Sequence, residues 1–262
     1  MSTTTTSARC DMAHVVPDES GRSTLRRALL ACGVLYSLLY VFSNDVVAAT
    51  RYEGYSRLSQ AISELSATSA PTKPFLTALL PIFTALLMAF GIGVWKSAQG
   101  SRALRMTGAL LSAHAATAPI WVLFPMTTRE EMGATMPVND LGHLLLSAVA
   151  IAFILAQMGF GGAALGKRFR LYSLVSAATV VVFGALTGIA SREVPAGEPT
   201  PWLGLVERVS FGAWLLWISM LATVLLGRSR RPEEAQDGAS SASSDAPAAR
   251  GRGQPLPRHS PA

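Results

Sequence analysis

The chain has 262 residues, half of them hydrophobic and only 15% charged, with a net charge of +6 and a mean hydropathy of +0.36. A soluble domain carries about a quarter charged residues, and here the charges gather in short stretches between long uncharged runs. That segregation excludes an ordinary soluble fold. The position of the basic residues, in short loops without interleaved aromatics, excludes a nucleic-acid partner.

In chain order, residues 1–25 form a Ser/Thr-rich polar stretch, expected to be a disordered tail. Six apolar runs follow, predicting transmembrane helices at about 28–49, 74–95, 106–125, 141–160, 171–190 and 203–227. Each approaches the ~20 residues a helix needs to cross a ~30 Å hydrocarbon core, and none shows the alternation of a β-barrel. The first is read as a retained signal anchor, too long for a cleaved signal core. It contains Cys32, after Leu29-Leu30-Ala31, but Arg27 lies too close upstream for a lipoprotein signal; Cys10 is in the tail, so no disulfide framework exists. Between the first two runs, Leu58, Ile62 and Leu65 recur at helical spacing and predict a short amphipathic helix. Pro81 and Pro119 are expected to kink their helices, and Gly184 with Gly188 to let helices approach closely. Residues 229–262, rich in Ala, Ser, Pro and Gly, predict a second disordered tail.

Lys and Arg set the orientation. Arg22, Arg26, Arg27, Lys96, Arg102, Arg105, Lys167, Arg168, Arg170, Arg228, Arg230 and Arg231 fall on one side, against Arg51, Arg57, Lys73, Arg129, Arg192 and Arg208 on the other. The excess predicts cytoplasmic termini at both ends. The fold class is therefore an all-α polytopic membrane bundle of six transmembrane helices, in domains 1–25, 26–228 and 229–262.

The segment Gln60-Ala61-Ile62-Ser63-Glu64-Leu65-Ser66-Ala67, followed by Ala70-Pro71-Thr72, resembles the region between the first two helices of the bacterial domain-of-unknown-function family number 998. Phe124-Pro125 with His143, and Gly204-Leu205-Val206-Glu207-Arg208-Val209, are similar to that family's fourth- and sixth-helix regions. The resemblance covers about residues 28–226 and implies a six-helix protein of a bacterial plasma membrane with no established activity.

Ionisable groups at membrane depth are costly and are the first place to look for function. Asp45, Glu64, Asp140, His143 and Glu207 all fall at extracytoplasmic helix ends or in the external loop, where a compact bundle would gather them into an outward polar cup. On the functional side, Glu64, Asp140, His143 and Glu207 are catalytic candidates, and Asp45, Asp140 and His143 are metal ligands, zinc being the ion such donors suit. On the structural side, Glu207 pairs with Arg51 or Arg208, Asp140 caps its helix and His143 bonds a neighbouring helix. The absence of a His-Glu-x-x-His spacing favours the structural side, and no cofactor is identified. His114, midway along the third run, lies roughly 10 Å deeper than His143 and is expected to bond a Ser, a Thr or a backbone carbonyl.

Two functions compete: a small binding, transport or accessory membrane protein, and a membrane-embedded enzyme acting on a lipid or lipid-linked substrate at the outer face. The partners expected are the bilayer itself and a lipid or small-molecule ligand; the sequence leaves oligomeric state open.

Overall fold

The computed structural model describes residues 19–133 and 137–244, with side chains described for 21–133 and 137–229. The expected tails fall largely on residues 1–18 and 245–262, outside the described residues, and Cys10 with them. The described backbone contains no strand. Its helices are α1 (Glu19–Val41), continued by a π-helical stretch (Phe42–Ala48) and the single turn α2 (Ala49–Arg51), then α3 (Lys73–Lys96), α4 (Arg102–Thr117), α5 (Val138–Ala164), α6 (Lys167–Ala190) and α7 (Leu203–Ser244). Short 3-10 helices stand at Ile62–Ser66, Ala118–Leu123, Arg129–Glu131 and Ser191–Glu193. The chain divides into a bundle, Met1–Leu226, and a second unit, Gly227–Ala262, described as helix as far as Ser244.

Six of these segments, 22 to 31 residues long, are long and apolar enough to span a membrane. At 1.5 Å per residue even the shortest exceeds the ~30 Å core. They reach past the apolar runs at their basic ends, because a charged first turn is still a good helix once it lies in the headgroup layer. Ser101 opens α4 by accepting a bond from Leu104 N at 3.3 Å. The turns on that side are tight: Gln99 (φ 43°) and Gly100 (φ 92°) close α3 to α4, and Gly166 (φ 93°) closes α5 to α6.

The outside of the bundle is apolar. Leu38, Leu145, Leu171, Leu174, Ile189 and Leu216 are all exposed, a surface that water would penalise at roughly 25 cal/mol per Å² and lipid would not. Trp95 and Trp202 stand exposed at span ends, as interfacial anchors do.

Inside, α7 holds the largest buried side chains, Trp214 and Trp217 with Ile218 and Leu221. Trp214 packs edge-on to Tyr36 of α1, and Trp217 Nε1 donates to Ser173 Oγ of α6 at 2.9 Å. The backbones of α3 and α4 meet closely at Gly91 and Gly108, where a Cβ on Gly91 would sit 2.8 Å from Ser112 N and one on Gly108 2.6 Å from Trp95 N. Small residues serve helix contact here, but not the pair expected. Gly184 has only ordinary contact with Ser210 Oγ at 3.5 Å, and nothing lies within 4 Å of a Cβ on Gly188.

Pro119 acts otherwise than by a kink. α4 ends at Thr117 and continues as the 3-10 stretch, with Ala118 N–H taking Ala115 O, the carbonyl that Pro119 lacks a proton to reach. Pro81 lies within an unbroken α3.

Candidate functional site

At the end of the bundle where α1 finishes and α7 begins, the segment between α2 and α3 folds inward. Ile62 and Leu65 are buried against Ala48, Ala49 and Leu76, while Leu58 is 52% exposed. The expected amphipathic helix is therefore a single 3-10 turn, Ile62–Ser66, used as a plug. Its shortness follows from its job, since the flanking backbone is committed elsewhere: Leu205 N of α7 donates to Leu58 O at 3.1 Å, and Gly204 lies so near Gln60 O and Arg57 O that a Cβ has no room.

The charges around this plug are engaged with one another. Arg129 grips Glu64 with two bonds, Nε to Oε2 at 2.7 Å and Nη2 to Oε1 at 2.9 Å. Glu64 is also held by Gln60 Nε2 at 3.1 Å and Ala61 N at 2.9 Å. The same Arg129 Nη2 reaches Ser59 O and Thr200 Oγ1, each at 3.0 Å. One guanidinium thus joins all three connections at this end: α2 to α3, α4 to α5, and α6 to α7. The bond to Glu64 raises the Arg129 pKa further. Close by, Glu131 accepts from Thr68 Oγ1 at 2.6 Å and from Ser69 Oγ, which holds its carboxyl below the usual range.

A second pair lies alongside. The π-helical stretch, in which Ala49 N–H reaches back to Asn44 O, carries Asp45 at its first turn, and Arg208 Nε meets Asp45 Oδ1 at 2.7 Å. Arg208 Nη1 donates to Arg57 O, Gln60 O and Gly204 O, and its Nη2 to Tyr55 Oη at 2.8 Å. Tyr55 in turn donates to Ala61 O at 2.7 Å, and burial pushes its phenol up to about 12 against the lowering effect of Arg208. The expected pairing of Glu207 with Arg51 or Arg208 is not what forms. Arg208 is taken by Asp45, Arg51 lies 5.6 Å over the Phe75 ring, and Glu207 Oε2 accepts from Ile62 N. Ile62 N–H opens the 3-10 turn without an intrahelical acceptor and is buried beside the Glu207 carboxylate, which explains the choice.

The structure brings Asp45, Glu64 and Glu207 together around the plug and leaves Asp140 and His143 on a neighbouring feature. Asp140 does not cap α5, since the helix begins at Val138 after Pro137 and puts Asp140 in its first turn. Its Oδ1 accepts from Thr127 N at 2.7 Å, while Oδ2 is buried with no hydrogen-bond partner among the described residues. His143 Nδ1 bonds Phe124 O at 3.1 Å, and Trp121 packs edge-on to its ring. Deeper in the bundle, the His114 ring bonds neither a hydroxyl nor a carbonyl among the described residues. Its Nδ1 is 3.2 Å from Gln157 Nε2, Gln157 Oε1 accepts from Trp214 Nε1 at 3.0 Å, and the imidazole stacks on Phe153. Because an amide nitrogen only donates, His114 Nδ1 is the acceptor in that contact and Nε2 carries the ring proton.

Among the described residues no group of three or more His, Cys, Asp or Glu is arranged to hold a metal ion. Sequence reasoning passed over Arg129, Thr200, Tyr55 and Gln157. Arg129, beside Glu130 and Glu131, looks like a solvated loop charge, and no local pattern announces a partner 65 residues away.

No curated protein and no solved structure matches the chain. A family model does, over residues 29–224, which takes in the plug and the whole or the greater part of each spanning helix. The chain belongs to the family described as protein of unknown function (DUF998).

Proposed function

We propose that this is a non-catalytic binding or accessory protein of the bacterial plasma membrane, with both termini in the cytoplasm and the plugged end facing out. The observation that carries it is the state of Asp45, Glu64 and Glu207. Each is engaged by an arginine or a backbone N–H within the fold, so the acids that would serve as base or ligand instead weld the outer connections. A general base must present a free lone pair to a substrate proton. The sidedness rests on the twelve-to-six excess of Lys and Arg at the opposite helix ends.

The alternative, an enzyme acting on a lipid-linked substrate at the outer face, draws its support from Asp140, whose Oδ2 is buried with no partner among the described residues, one turn from His143. Elemental analysis of the detergent-purified protein separates the two. The binding reading expects no stoichiometric zinc and unchanged metal content in His143→Ala and Glu64→Ala. One zinc per chain, lost in His143→Ala, would establish the catalytic reading in its place. A transport role would show as altered solute flux in His114→Ala with its melting temperature preserved.

A further inference from the structure

A groove of about 220 Å³ runs between α5 and α6, lined by Met158, Gly159, Gly162, Leu174 and Ala177, with Arg170 at its mouth. Its shape comes from two glycines used in opposite ways. Gly162 brings the helices together, a Cβ there lying 2.9 Å from Ser173 Cβ, and so closes one end. Gly159 has nothing within 4 Å of its Cβ position, and that missing side chain is the hollow. On α6, Arg170, Leu174 and Ala177 stand at i, i+4 and i+7, a stripe roughly 10 Å long that passes from a cation into apolar surface.

The cation is uncommitted. Arg170 is exposed, and among the described residues no carboxylate pairs with its guanidinium. Lys167 and Arg168 are exposed beside it, and the adjoining turns, residues 97–101 and 165–166, contain no acid. Arg208 differs in this respect. It lines the larger groove between α6 and α7, of about 420 Å³, but its guanidinium is spent on Asp45, Tyr55 and three carbonyls.

An apolar slot open to the hydrocarbon with an unneutralised cation at the headgroup level matches one kind of occupant. We propose that this groove holds an anionic phospholipid of the surrounding bilayer, with the phosphate on Arg170 and an acyl chain lying over Gly159. Basic pockets between transmembrane helices select such headgroups because a net negative lipid gains Coulomb energy that a zwitterion does not. The site rests on the membrane location of the bundle and is independent of which end faces the cytoplasm and of whether the outer cap catalyses anything.

The test is lipid retention by native mass spectrometry of protein released from nanodiscs of equal phosphatidylglycerol and phosphatidylcholine. A nanodisc offers both leaflets, so a wrong sidedness cannot mask the result. The wild type should keep phosphatidylglycerol preferentially. Arg170→Gln should lower that retention about fivefold, the equivalent of ~1 kcal/mol per basic residue, and Gly159→Leu should fill the slot and lower retention of both lipids. Lys96→Gln, which removes a cation from another helix at the same end, should change nothing. Equal losses in Arg170→Gln and Lys96→Gln would reduce the effect to general rim charge and overturn the site, as would full retention in Gly159→Leu. The Gly159 position is open, so a folded variant is expected; Arg170→Gln against Lys96→Gln decides the matter alone if it is not.

Discussion

Arg129 ties together the three connections at the capped end. It pairs with Glu64, which is only 7% exposed, and simultaneously satisfies the Ser59 carbonyl of the same connection and the Thr200 hydroxyl of the α6–α7 connection. Removing it leaves a nearly buried carboxylate without its counter-charge. Arg129→Gln should therefore lower stability by about 3 kcal/mol, the low end for a broken buried pair because Arg129 itself keeps 27% exposure. Glu64→Gln should cost a similar amount and the double variant less than the sum, read by thermal unfolding in detergent; additive losses would show that the two do not act as a pair. Tyr55 gives a pH signature. Its ionisation is raised to about 12 by burial, so the contribution it makes is complete below the ordinary tyrosine value near 10 and is lost as pH climbs through that interval. Melting temperatures between pH 9 and 12 should fall more steeply for the wild type than for Tyr55→Phe, and parallel curves would contradict this.

At the scale of the helix, the backbone contacts make an unequal demand on glycine. A side chain at Gly108 would drive into Trp95 N and the Gly91 carbonyl, which cannot give way without separating α3 from α4. Gly108→Leu should prevent recovery of folded protein, whereas Gly188→Leu, facing open space, should melt within about 0.5 kcal/mol of the wild type. The reverse ranking would mean the α3–α4 contact is misassigned. The core polar group behaves similarly. Gln157→Leu strands the Trp214 indole N–H and the His114 ring nitrogen together, and should cost about 1–3 kcal/mol, checked by the same unfolding measurement. The existence of these helices was legible in the sequence because an uncharged run such as residues 74–95 has no stable alternative in lipid. The faces they present were not. A helix apolar all round carries no periodic signal of its buried side, which is why Gly184-x-x-x-Gly188 attracted attention and the Gly91–Gly108 contact did not.

For the molecule as a whole, the bundle and the cap follow different rules. The bundle is set by its solvent: exposed leucines outside, two buried tryptophans inside, and six spans of adequate length. Composition and charge segregation were enough to foresee the six spans, though not which side chains fill the interior. The cap is set by pairings across long sequence separations, Asp45 with Arg208 and Glu64 with Arg129. The sequence named Asp45, Glu64 and Glu207 as outer groups but not the partners they take, because two of these, Ala61 N and Ile62 N, are backbone N–H groups that no pattern marks, and Arg129 and Arg208 lie 65 and 163 residues from the acids they hold. The proposed function places the capped end outside and the tight turns inside. This sidedness is tested by single cysteines in a background without Cys10 and Cys32, at Glu198 in the α6–α7 connection and at Gln99 in the α3–α4 turn, a site already occupied by a non-glycine at φ 43°. With a membrane-impermeant maleimide on intact cells, Glu198→Cys should label directly and Gln99→Cys only after permeabilisation; labelling of Gln99→Cys on intact cells would contradict the account.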